Sequence, residues 1–415
     1  MSPDKLPETW RRIRLEEVAE VVMGQSPPSS AYNETGHGLP FFQGKAEFGT
    51  LYPIVKKWTI EGNKRALPGD ILISVRAPVG PTNVANTECV IGRGLSAIRV
   101  GHLLRQTFLL WYLRSIENEI ASRGTGTTFS SISGDSLRKT HVSVPSKQEQ
   151  DEIVRILEEQ LSRLEAATAA IAAVRTKLDQ FRYSLLHAAF TGAFTHTGAH
   201  RMSANSPTKW QSRPLAELVD DFQPGFASGK HNAQGRGIVH VRPMNVSRNG
   251  LLDFAELKFI ETEEGHRLCQ GDVLFNNTNS PALVGKTAFV DTDRELAFSN
   301  HMTRLRVNRK SVDAKFLAIQ LHSLWHKGFF KEICSNHVNQ ASVSTKRLGQ
   351  VEVVLPSLEE QTEVVRILEE QFSRQEAILA SVDSVEQNLD ALRRSLLHAA
   401  FSGELTKDWR ERDRG

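Results

Sequence analysis

The heptapeptide SLLHAAF stands at residues 184–190 and again, unchanged, at residues 395–401. Upstream of it, the stretch VRILEEQ is repeated at the same spacing, at 154–160 and at 365–371. No gap is needed between these stretches to align the two copies. A fixed spacing of this kind marks an internal repeat, which has to be recognised before a fold is assigned. The sequence therefore predicts two copies of one unit.

The remainder of each copy is more divergent. Residues 69–72, Gly-Asp-Ile-Leu, match residues 271–274, Gly-Asp-Val-Leu, and the spacing grows stepwise towards the identical segment as loops lengthen. A near-identical segment indicates one partner that is met twice. Divergent segments on a shared scaffold indicate two different targets. Uneven drift after an old duplication is the alternative explanation.

The near-identical segment is predicted to be a long helix. Ser146 with Glu149, and Ser357 with Glu360, have the spacing of a capping box at a helix start. A heptad seam typical of coiled coils follows in each copy. The predicted seam is Leu157, Leu161, Leu164, Thr168, Ile171, Val174, Leu178, Phe181, Leu185 and Ala188 in the first copy, and Leu368, Phe372, Gln375, Leu379, Val382, Val385, Leu389, Leu392, Leu396 and Ala399 in the second.

Each predicted helix ends at a glycine suited to a C-terminal cap, Gly192 or Gly403. About 42 residues would give a helix roughly 60 Å long. Two such helices in one chain most simply pair with each other, and a molecule with pseudo-twofold symmetry requires that they pair antiparallel. We therefore expect an antiparallel coiled coil.

Composition places the chain in a broad class. It has 415 residues, which favours more than one domain, and a net charge of only +3, so bulk charge does not indicate nucleic-acid binding. Cys89, Cys269 and Cys334 lie far apart, which argues against a zinc site and against a disulfide framework. The first residues are polar, and no run of 18 apolar residues occurs. We expect a soluble, cytoplasmic protein.

Outside the helices the sequence is of the α+β type. Short β-type runs such as DILISV and DVLF alternate with Gly, Pro and Asn, and each copy has one short helical stretch. The predicted division of the chain is residues 1–145 for a first globular domain, 146–195 for the first long helix, 196–209 for a linker, 210–356 for a second globular domain, 357–405 for the second long helix and 406–415 for a tail.

Three stretches resemble catalytic motifs, and each is incomplete. SPALVGKT at 280–287 is one residue short of a phosphate-binding P-loop and precedes a strand-like run. RGTGTTF at 123–129 lacks the third glycine of a dinucleotide site. GQSPPSS at 24–30 is similar to the Pro-Pro-aromatic motif of adenine methyltransferases, but Ser29 replaces the aromatic residue. We predict no catalytic site, no metal and no cofactor in this chain.

Polar loops at matched places in the two copies are better candidates for function. Arg, Lys, Asn and Gln read base edges, while Ser, Thr and backbone amides hold phosphates. Such residues also cap turns, which is the alternative explanation for any one of them. The candidate DNA-binding residues are Gln43, Lys45, Arg76, Arg123, Thr125 and Thr127 in the first copy, and Arg242, Asn245, Asn276, Asn277, Asn279, His337, Asn339 and Gln340 in the second.

A family resemblance rests on the two ends of the long helix. Pro-x-x-x-Glu-Gln at its start and Arg-x-Ser-Leu-Leu-His-Ala-Ala-Phe-x-Gly at its end resemble the specificity (S) subunit of type I restriction–modification enzymes. The stretches at 42–45 and 69–74 fit the same family, and the resemblance covers essentially the whole chain. The second copy departs from it at 276–277 and 339–341, as expected if the two copies read different half-sites.

The resemblance implies a non-catalytic subunit with two target-recognition domains, each reading half of a bipartite site in double-stranded DNA. The helices would set the spacer between the halves. They would also dock two methyltransferase (modification) subunits, which use S-adenosylmethionine to methylate adenine N6. Two restriction/translocase subunits would add ATP- and Mg-dependent translocation and cleavage. The candidate docking residues are Arg182, His187 and Phe190 in the first copy, and Arg393, His398 and Phe401 in the second.

Other functions remain open at this point. The chain could belong to a combined cut-and-methylate system with a different partner stoichiometry. It could be a coiled-coil adaptor that binds only proteins, which would show no salt-dependent affinity for DNA. A self-sufficient DNA methyltransferase is disfavoured, because no usable motif for the methyl donor is present.

Overall fold

The structure, a computed structural model, describes residues 6–125, 130–191, 193–194, 210–261, 265–336 and 340–413. Two compact units are present, unit 1 with residues 1–171 and 382–415, and unit 2 with residues 172–381. Both predicted long helices contribute residues to each unit. The predicted linker, 196–209, lies outside the described ranges. Within those ranges, no helix is both long and apolar enough to span a membrane.

Unit 1 contains a four-stranded sheet, a five-stranded sheet and a strand pair. Its strands are β1 (Arg11–Arg14), β2 (Ala19–Met23), β3 (Tyr32–Asn33), β4 (Leu39–Phe42), β5 (Trp58–Thr59), β6 (Arg65–Ala66), β7 (Ile71–Ser74), β8 (Thr82–Val84), β9 (Cys89–Ile91), β10 (Leu95–Val100) and β11 (His141–Val144). The strand orders are β2-β10-β7-β8, β3-β5-β4-β9-β6 and β1-β11.

The β7 strand explains why the first unit has two cores. Successive side chains of a strand point to opposite faces of the sheet. Ile71 and Ile73 therefore enter one core, while Leu72 enters a second core on the other face. The apolar run DILISV is buried on both sides, as a continuous rather than alternating apolar pattern predicts.

The helices of unit 1 cover the first of these cores. They are α1 (Leu15–Val18), α2 (Gln106–Ser115), α3 (Glu117–Ser122), α4 (Gly134–Arg138) and the first part of the long helix α5 (Lys147–Ala189). The α2 helix is the predicted short helical stretch. It buries Phe108, Leu109 and Leu113 in the same core as Ile71.

Unit 2 repeats this plan. Its strands are β12 (Gln211–Pro214), β13 (Val219–Pro224), β14 (Ile238–Val241), β15 (Phe259–Ile260), β16 (Arg267–Leu268), β17 (Val273–Asn276), β18 (Thr278–Asn279), β19 (Thr287–Phe289), β20 (Leu296–Phe298), β21 (Met302–Val307), β22 (Ser335–Asn336), β23 (Ala341–Ser342) and β24 (Glu352–Leu355). Its sheets have the orders β13-β21-β17-β19, β15-β14-β20-β16, β18-β23-β22 and β12-β24. Its helices are α6 (Ala314–His326), α7 (Phe329–Ile333) and α8 (Thr345–Gly349). The α+β prediction is confirmed in both units.

The second long helix, α9 (Leu358–Ser402), is followed by the short helix α10 (Lys407–Asp413). In unit 1, Leu157 near the start of α5 belongs to the same core as Phe401 near the end of α9. In unit 2, Leu185 near the end of α5 belongs to the same core as Leu368 near the start of α9. Within each unit the two helices therefore run antiparallel, as the sequence predicts.

The predicted seam holds for the first part of each helix and fails towards the end. Leu157 and Leu161 are buried, but Phe181 is 46% exposed, and its counterpart Leu392 is 55% exposed. Near the helix end the buried side moves to Leu186, because there α5 packs on the globular part of unit 2. A strict 3.5-residue repeat and a 3.6-residue helix drift apart over several turns, which helps to move the contact face.

SLLHAAF contributes its last residues to the cores. Phe401 is 1% exposed and makes edge contacts with the rings of Phe108 and Tyr112, whose centroids lie 5.5 and 5.3 Å away. In unit 2, the half-buried ring of Phe190 contacts Phe316 in the same way at 5.4 Å. Part of the repeated sequence is thus explained by two equivalent contacts within the chain.

The glutamine of Pro-x-x-x-Glu-Gln also has an internal function. Gln150 is buried, accepts a hydrogen bond from the Arg105 amide at 2.7 Å and donates to the carbonyl of Leu103 at 3.0 Å. Gln361 likewise accepts from the Asp313 amide at 2.8 Å. Each glutamine fastens the loop before a short helix to the long helix.

The two capping boxes differ. At the start of α9, the Ser357 amide donates to the Glu360 carboxylate at 3.0 Å, and the Glu360 amide donates to the Ser357 hydroxyl at 3.3 Å. At the start of α5, the Ser146 hydroxyl accepts from the Glu149 amide, but the Glu149 carboxylate turns elsewhere. It forms a buried ion pair with Arg410 of α10. The predicted box is complete only in the second copy.

The predicted glycine cap is confirmed at Gly403, which has a φ of 88° directly after α9. A side chain in this left-handed conformation would be strained. A Cβ atom there would also come within 2.4 Å of the Pro7 ring. Gly192, the corresponding residue after α5, lies outside the described residues.

Candidate nucleic-acid interface

Three loops of unit 1 meet where the strands β4, β7 and β9 end. They are the segment 43–45, the segment 75–78 and the turn 92–94. The Gly92 amide donates to the Phe42 carbonyl at 2.7 Å, and the Val75 amide donates to the Gly94 carbonyl at 2.9 Å. These two hydrogen bonds place three separate stretches of sequence side by side. Gln43, Lys45 and Arg76, predicted from different places in the sequence, lie on these loops and are exposed.

A fourth segment joins this group. The Ile132 amide donates to the Val75 carbonyl at 3.0 Å, and Thr125 and Ser131 exchange two backbone hydrogen bonds. Thr125 is therefore held close to Arg76, which itself bridges to Ser131. Thr127, another candidate, lies outside the described residues.

Unit 2 repeats the same backbone hydrogen bonds with different residues. The Ser299 amide donates to the Val241 carbonyl at 2.9 Å, and the Asn277 amide donates to the His301 carbonyl at 3.0 Å. The Val343 amide then donates to the Asn277 carbonyl at 2.9 Å. We call this set of main-chain hydrogen bonds, in either unit, the loop frame. It makes Gln43 equivalent to Arg242, Arg76 to Thr278 and Arg93 to Asn300.

The frame brings together several candidates of the second unit. Asn277 and Asn279 lie beside a hairpin, because β18 pairs with β23 and β23 pairs with β22. Gln340 is exposed at that hairpin. The Asn277 side-chain oxygen is buried and has no hydrogen-bond partner within the described residues. His337 and Asn339 lie outside those residues.

Two candidates turn out to hold loops, which corrects the prediction for them. Asn276 is fully buried and donates to the Leu283 carbonyl at 3.0 Å. Asn245 is also buried, and its side chain bonds to the carbonyls of Asp253 and Glu256 and to the Arg242 amide. Their amides satisfy turns, which was the alternative explanation. Neither side chain is available to a base.

Arg123 is also engaged within unit 1. Its guanidinium forms an ion pair with Glu119 and donates to the Thr140 hydroxyl at 3.3 Å. Arg76 differs, since its guanidinium is exposed and has no ion-pair partner among the described residues. Of the predicted cations in unit 1, Lys45 and Arg76 therefore remain free to meet a phosphate or a base.

Arg93 and Asn300, which are not among the predicted residues, occupy equivalent turns next to the predicted loops. Both side chains are exposed. A signal was present in the first unit, because Arg93 stands between two glycines after a β-type run. A Cβ atom on Gly94 would lie 2.2 Å from the Gln43 carbonyl oxygen. The turn can therefore lie this close to the neighbouring loop only with glycine at position 94.

A histidine pair in unit 2 occupies the place of an aromatic stack in unit 1. Tyr32 and Phe41 stack with centroids 4.6 Å apart, and His231 and His240 take the equivalent places, with ring nitrogens 2.8 Å apart. Burial and the nearby Arg242 lower the pKa of both imidazoles. The pair is therefore neutral near pH 7 and acts as a packing element.

The incomplete P-loop motif has a structural function. Residues 280–287 form a turn that leads into β19, as expected from the strand-like run that follows. Lys286, which would be the phosphate-binding lysine, is buried and donates to the Val246 carbonyl. Across the described ranges, no group of three or more His, Cys, Asp or Glu side chains is placed to hold a metal ion.

The candidate docking residues separate into two groups. Phe401 and Phe190 pack inside their units, and Arg182 stacks on the Phe372 ring at 3.7 Å while donating to the Asn249 carbonyl at 3.0 Å. Burial lowers the pKa of Arg182. The remaining docking candidates, all exposed on the long helices, are His187, Arg393 and His398.

Comparison with known proteins defines the class. The family model of the type I restriction modification DNA specificity domain matches the chain twice, at residues 7–173 and 207–382, and the chain belongs to this family. It is a specificity subunit with two DNA specificity domains, and its relatives carry the same description. The type I restriction enzyme EcoKI specificity subunit of Escherichia coli K12 is 24% identical over 433 residues, which cover 99% of this chain and 92% of that protein.

Other relatives extend the likeness. The MjaX specificity subunit of Methanocaldococcus jannaschii, described as putative by its name, is 41% identical over 156 residues, or 37% of each chain. The HsdS subunit of Thermoanaerobacter tengcongensis has a similar fold, with a TM-score of 0.57, 22% identity and coverage of 97% and 99%. A chain from a study of complex assembly in the type I R-M system reaches a TM-score of 0.77 at 20% identity, with coverage of 97% and 100%.

Proposed function

We propose that each unit reads one half of a bipartite DNA site. This chain would then determine which DNA sequence the complex recognises, while its partners would carry out the catalysis. The loop frame carries the proposal. Identical main-chain hydrogen bonds in both units present different side chains at equivalent places, such as Gln43 and Arg242. A shared scaffold with exchanged side chains is what two readers of different sequences require.

The chemistry of the exposed side chains fits this task. Arg76 and Lys45 can meet phosphates or guanine edges, and the exposed amide of Gln340 and the half-buried amide of Asn279 suit adenine edges. Binding to phosphates would make the affinity fall with salt, because bound cations are released from DNA. We also propose that the complex meets this DNA in the cytoplasm.

The test is to map N6-methyladenine across the genome of cells with and without this gene. We expect one bipartite motif to disappear on deletion. Exchanging residues 10–145 for those of a relative should change one half of that motif and leave the other half as it was. The proposal would be contradicted if deletion removed no methylated motif, or if the exchange changed both halves of the motif.

The partners follow from the repeat. Two copies of a methyltransferase subunit dock on the long helices, where apolar residues are exposed at equivalent places in both copies. We call these residues the exposed stripe, and its members are Val174 and Phe181 on α5, and Val385 and Leu392 on α9. The nearby His187, Arg393 and His398 would add polar contacts. The methyltransferase brings S-adenosylmethionine, and restriction/translocase subunits bring ATP and Mg.

The long helices also set the spacer between the half-sites. The support for this is that α5 and α9 each contribute residues to both units without a break. A helix is stiff over this length, and its rise per residue is fixed at about 1.5 Å. The number of helical residues would then determine the number of base pairs between the two half-sites.

A further inference from the structure

We propose that Arg93 of unit 1 and Asn300 of unit 2 are matched base-reading residues, with the arginine selecting guanine and the asparagine selecting adenine. The inference deepens the proposed function and rests on it, since it presupposes that each unit reads a DNA half-site. It concerns two residues that no motif identifies.

The loop frame establishes that the two positions are equivalent. The Leu95 amide donates back to the Gly92 carbonyl at 3.0 Å, which closes the turn that carries Arg93. The Met302 amide donates to the Ser299 carbonyl at 2.8 Å and closes the turn that carries Asn300 in the same way. Both turns connect a strand of one sheet to an inner strand of the other, β9 to β10 and β20 to β21.

The turn of unit 1 is built to present one side chain. Gly94 has no room for a Cβ atom, which would lie 2.2 Å from the Gln43 carbonyl oxygen, and a Cβ atom on Gly92 would lie 3.1 Å from the Ser26 hydroxyl. The Arg93 amide is held by the Ser26 hydroxyl at 3.2 Å, so the main chain is fixed. The guanidinium itself is exposed and has no ion-pair partner within the described part of the chain. A fixed main chain with a free fork of donors is suited to recognition.

The turn of unit 2 holds its asparagine by similar means. The Asn300 amide donates to the Phe226 carbonyl at 3.1 Å, and the Asn300 carbonyl accepts from the Asn277 side chain at 3.4 Å. The Asn300 side-chain oxygen accepts from the Ser299 hydroxyl at 3.3 Å. The side chain is exposed, and it is short enough for these contacts to orient its amide.

Different bases follow from the two side chains. In the major groove, the arginine fork matches the O6 and N7 acceptors of guanine, whereas an asparagine amide matches the donor and acceptor of adenine. In unit 1, Arg76 lies beside this turn, because the Val75 amide donates to the Gly94 carbonyl, and it has the same preference for guanine as Arg93. The half-site of unit 1 should therefore contain a guanine that depends on Arg93, and that of unit 2 an adenine that depends on Asn300.

The experiment uses the complete complex and maps the sites it methylates, with the variants Arg93→Ala, Arg93→Asn and Asn300→Ala. Arg93→Ala should lower the preference at one guanine of one half-site by roughly 10- to 100-fold and leave the other half-site unchanged. Asn300→Ala should act in the same way on one adenine of the opposite half-site. Arg14→Ala serves as a control, because this exposed arginine on β1 pairs with Glu16 and should leave both half-sites unchanged.

The outcomes separate the two proposals. A wild-type complex without a bipartite motif would overturn the proposed function together with this inference. A normal motif that Arg93→Ala and Asn300→Ala both leave unchanged would overturn the inference alone. So would uniformly weaker methylation with a smaller salt dependence, because that result identifies phosphate contacts. Arg93→Asn is the control for misfolding. It keeps a polar side chain, so it should weaken the preference for guanine at the same position without changing the unfolding temperature of the protein.

Discussion

Glu149 and Glu360 occupy the same position in the repeat but have different partners. Glu360 caps its own helix, whereas Glu149 is buried against Arg410 and accepts a hydrogen bond from the Thr406 hydroxyl at 2.8 Å. The Arg410 guanidinium also lies 5.9 Å from the centre of the Trp10 ring. The residues after α9 thus fasten the start of α5 in unit 1. The sequence shows the glutamate twice but cannot show that one copy meets an arginine 261 positions away.

We predict that Arg410→Met destabilises unit 1 by about 3–5 kcal/mol, because it leaves the Glu149 carboxylate buried without a charge partner. The measurement is urea unfolding of the purified chain. Adding Glu149→Gln to Arg410→Met should recover part of the loss, since the buried charge is then removed. The control is Arg163→Ala, an exposed arginine paired with Glu159, which should cost no more than about 1 kcal/mol. Equal losses of unfolding free energy in Arg410→Met and Arg163→Ala would refute the prediction.

Base-reading candidates show what sequence reasoning can and cannot provide at this scale. Residue type alone suggested Arg76 and Asn276 equally well. The structure exposes the first and buries the second against the Leu283 carbonyl. The difference depends on hydrogen bonds between segments far apart in sequence, which no local pattern contains.

Among the elements, the long helices were the easiest to predict. The cap at Ser357, the heptads and the glycine at 403 are local signals, and α9 begins and ends within a residue or two of them. The exposed part of the seam was predicted as buried, because a heptad pattern does not say what covers it. The small strands beside the loops, such as β18 and β22, have two residues each and leave almost no periodic signal.

We predict that Phe181→Asp and Leu392→Asp, on the exposed stripe, each prevent docking of one methyltransferase copy while the chain stays folded. Burying an unpaired carboxylate in a protein interface is costly, whereas an exposed carboxylate on the free helix is not. The mass of the reconstituted complex provides the measurement. Ser162→Asp, at an exposed position earlier in α5, is the matched control for an added charge. If both variants still formed complexes with two methyltransferase copies, the exposed stripe would be excluded as the docking surface.

At the scale of the whole molecule, the spacer proposal predicts the effect of an insertion. Four extra residues in the middle of α5 add about 6 Å of rise, which corresponds to one or two base pairs of DNA. Methylated sites should then show a longer spacer between unchanged half-sites. Four extra residues in the loop at 34–37, which belongs to neither long helix, should leave the spacer as it was. Unchanged spacing after insertion in α5 would refute the proposal.

Acid should loosen unit 2. His322 in α6 is buried, and desolvation lowers its pKa to about 3, while the pKa values of His326 and His240 are also lowered by burial. The unfolded chain takes up these protons near pH 6.5, so the stability is fully present above that pH and is lost as the pH falls. From pH 7 to pH 5 the loss due to His322 alone should be roughly 2 kcal/mol.

Hydrogen exchange of the α6 amides, compared with those of α2, checks this expectation. The α6 amides should exchange faster at pH 5 than at pH 7 after correction for the intrinsic rate. His322→Gln should flatten that dependence, because glutamine does not titrate. Protection of α6 that stays constant over this range would contradict the assignment of His322 as a buried neutral imidazole.

The loop frame allows new DNA specificities to arise without a change of scaffold. Its donors and acceptors are main-chain atoms, so they do not depend on which side chains the loops carry. The loops of one unit can then vary while the helices and the other unit stay the same. Recombining a handful of first units with a handful of second units yields the product of the two numbers. Chains of this design gain variety combinatorially, while the surface offered to their partners stays constant.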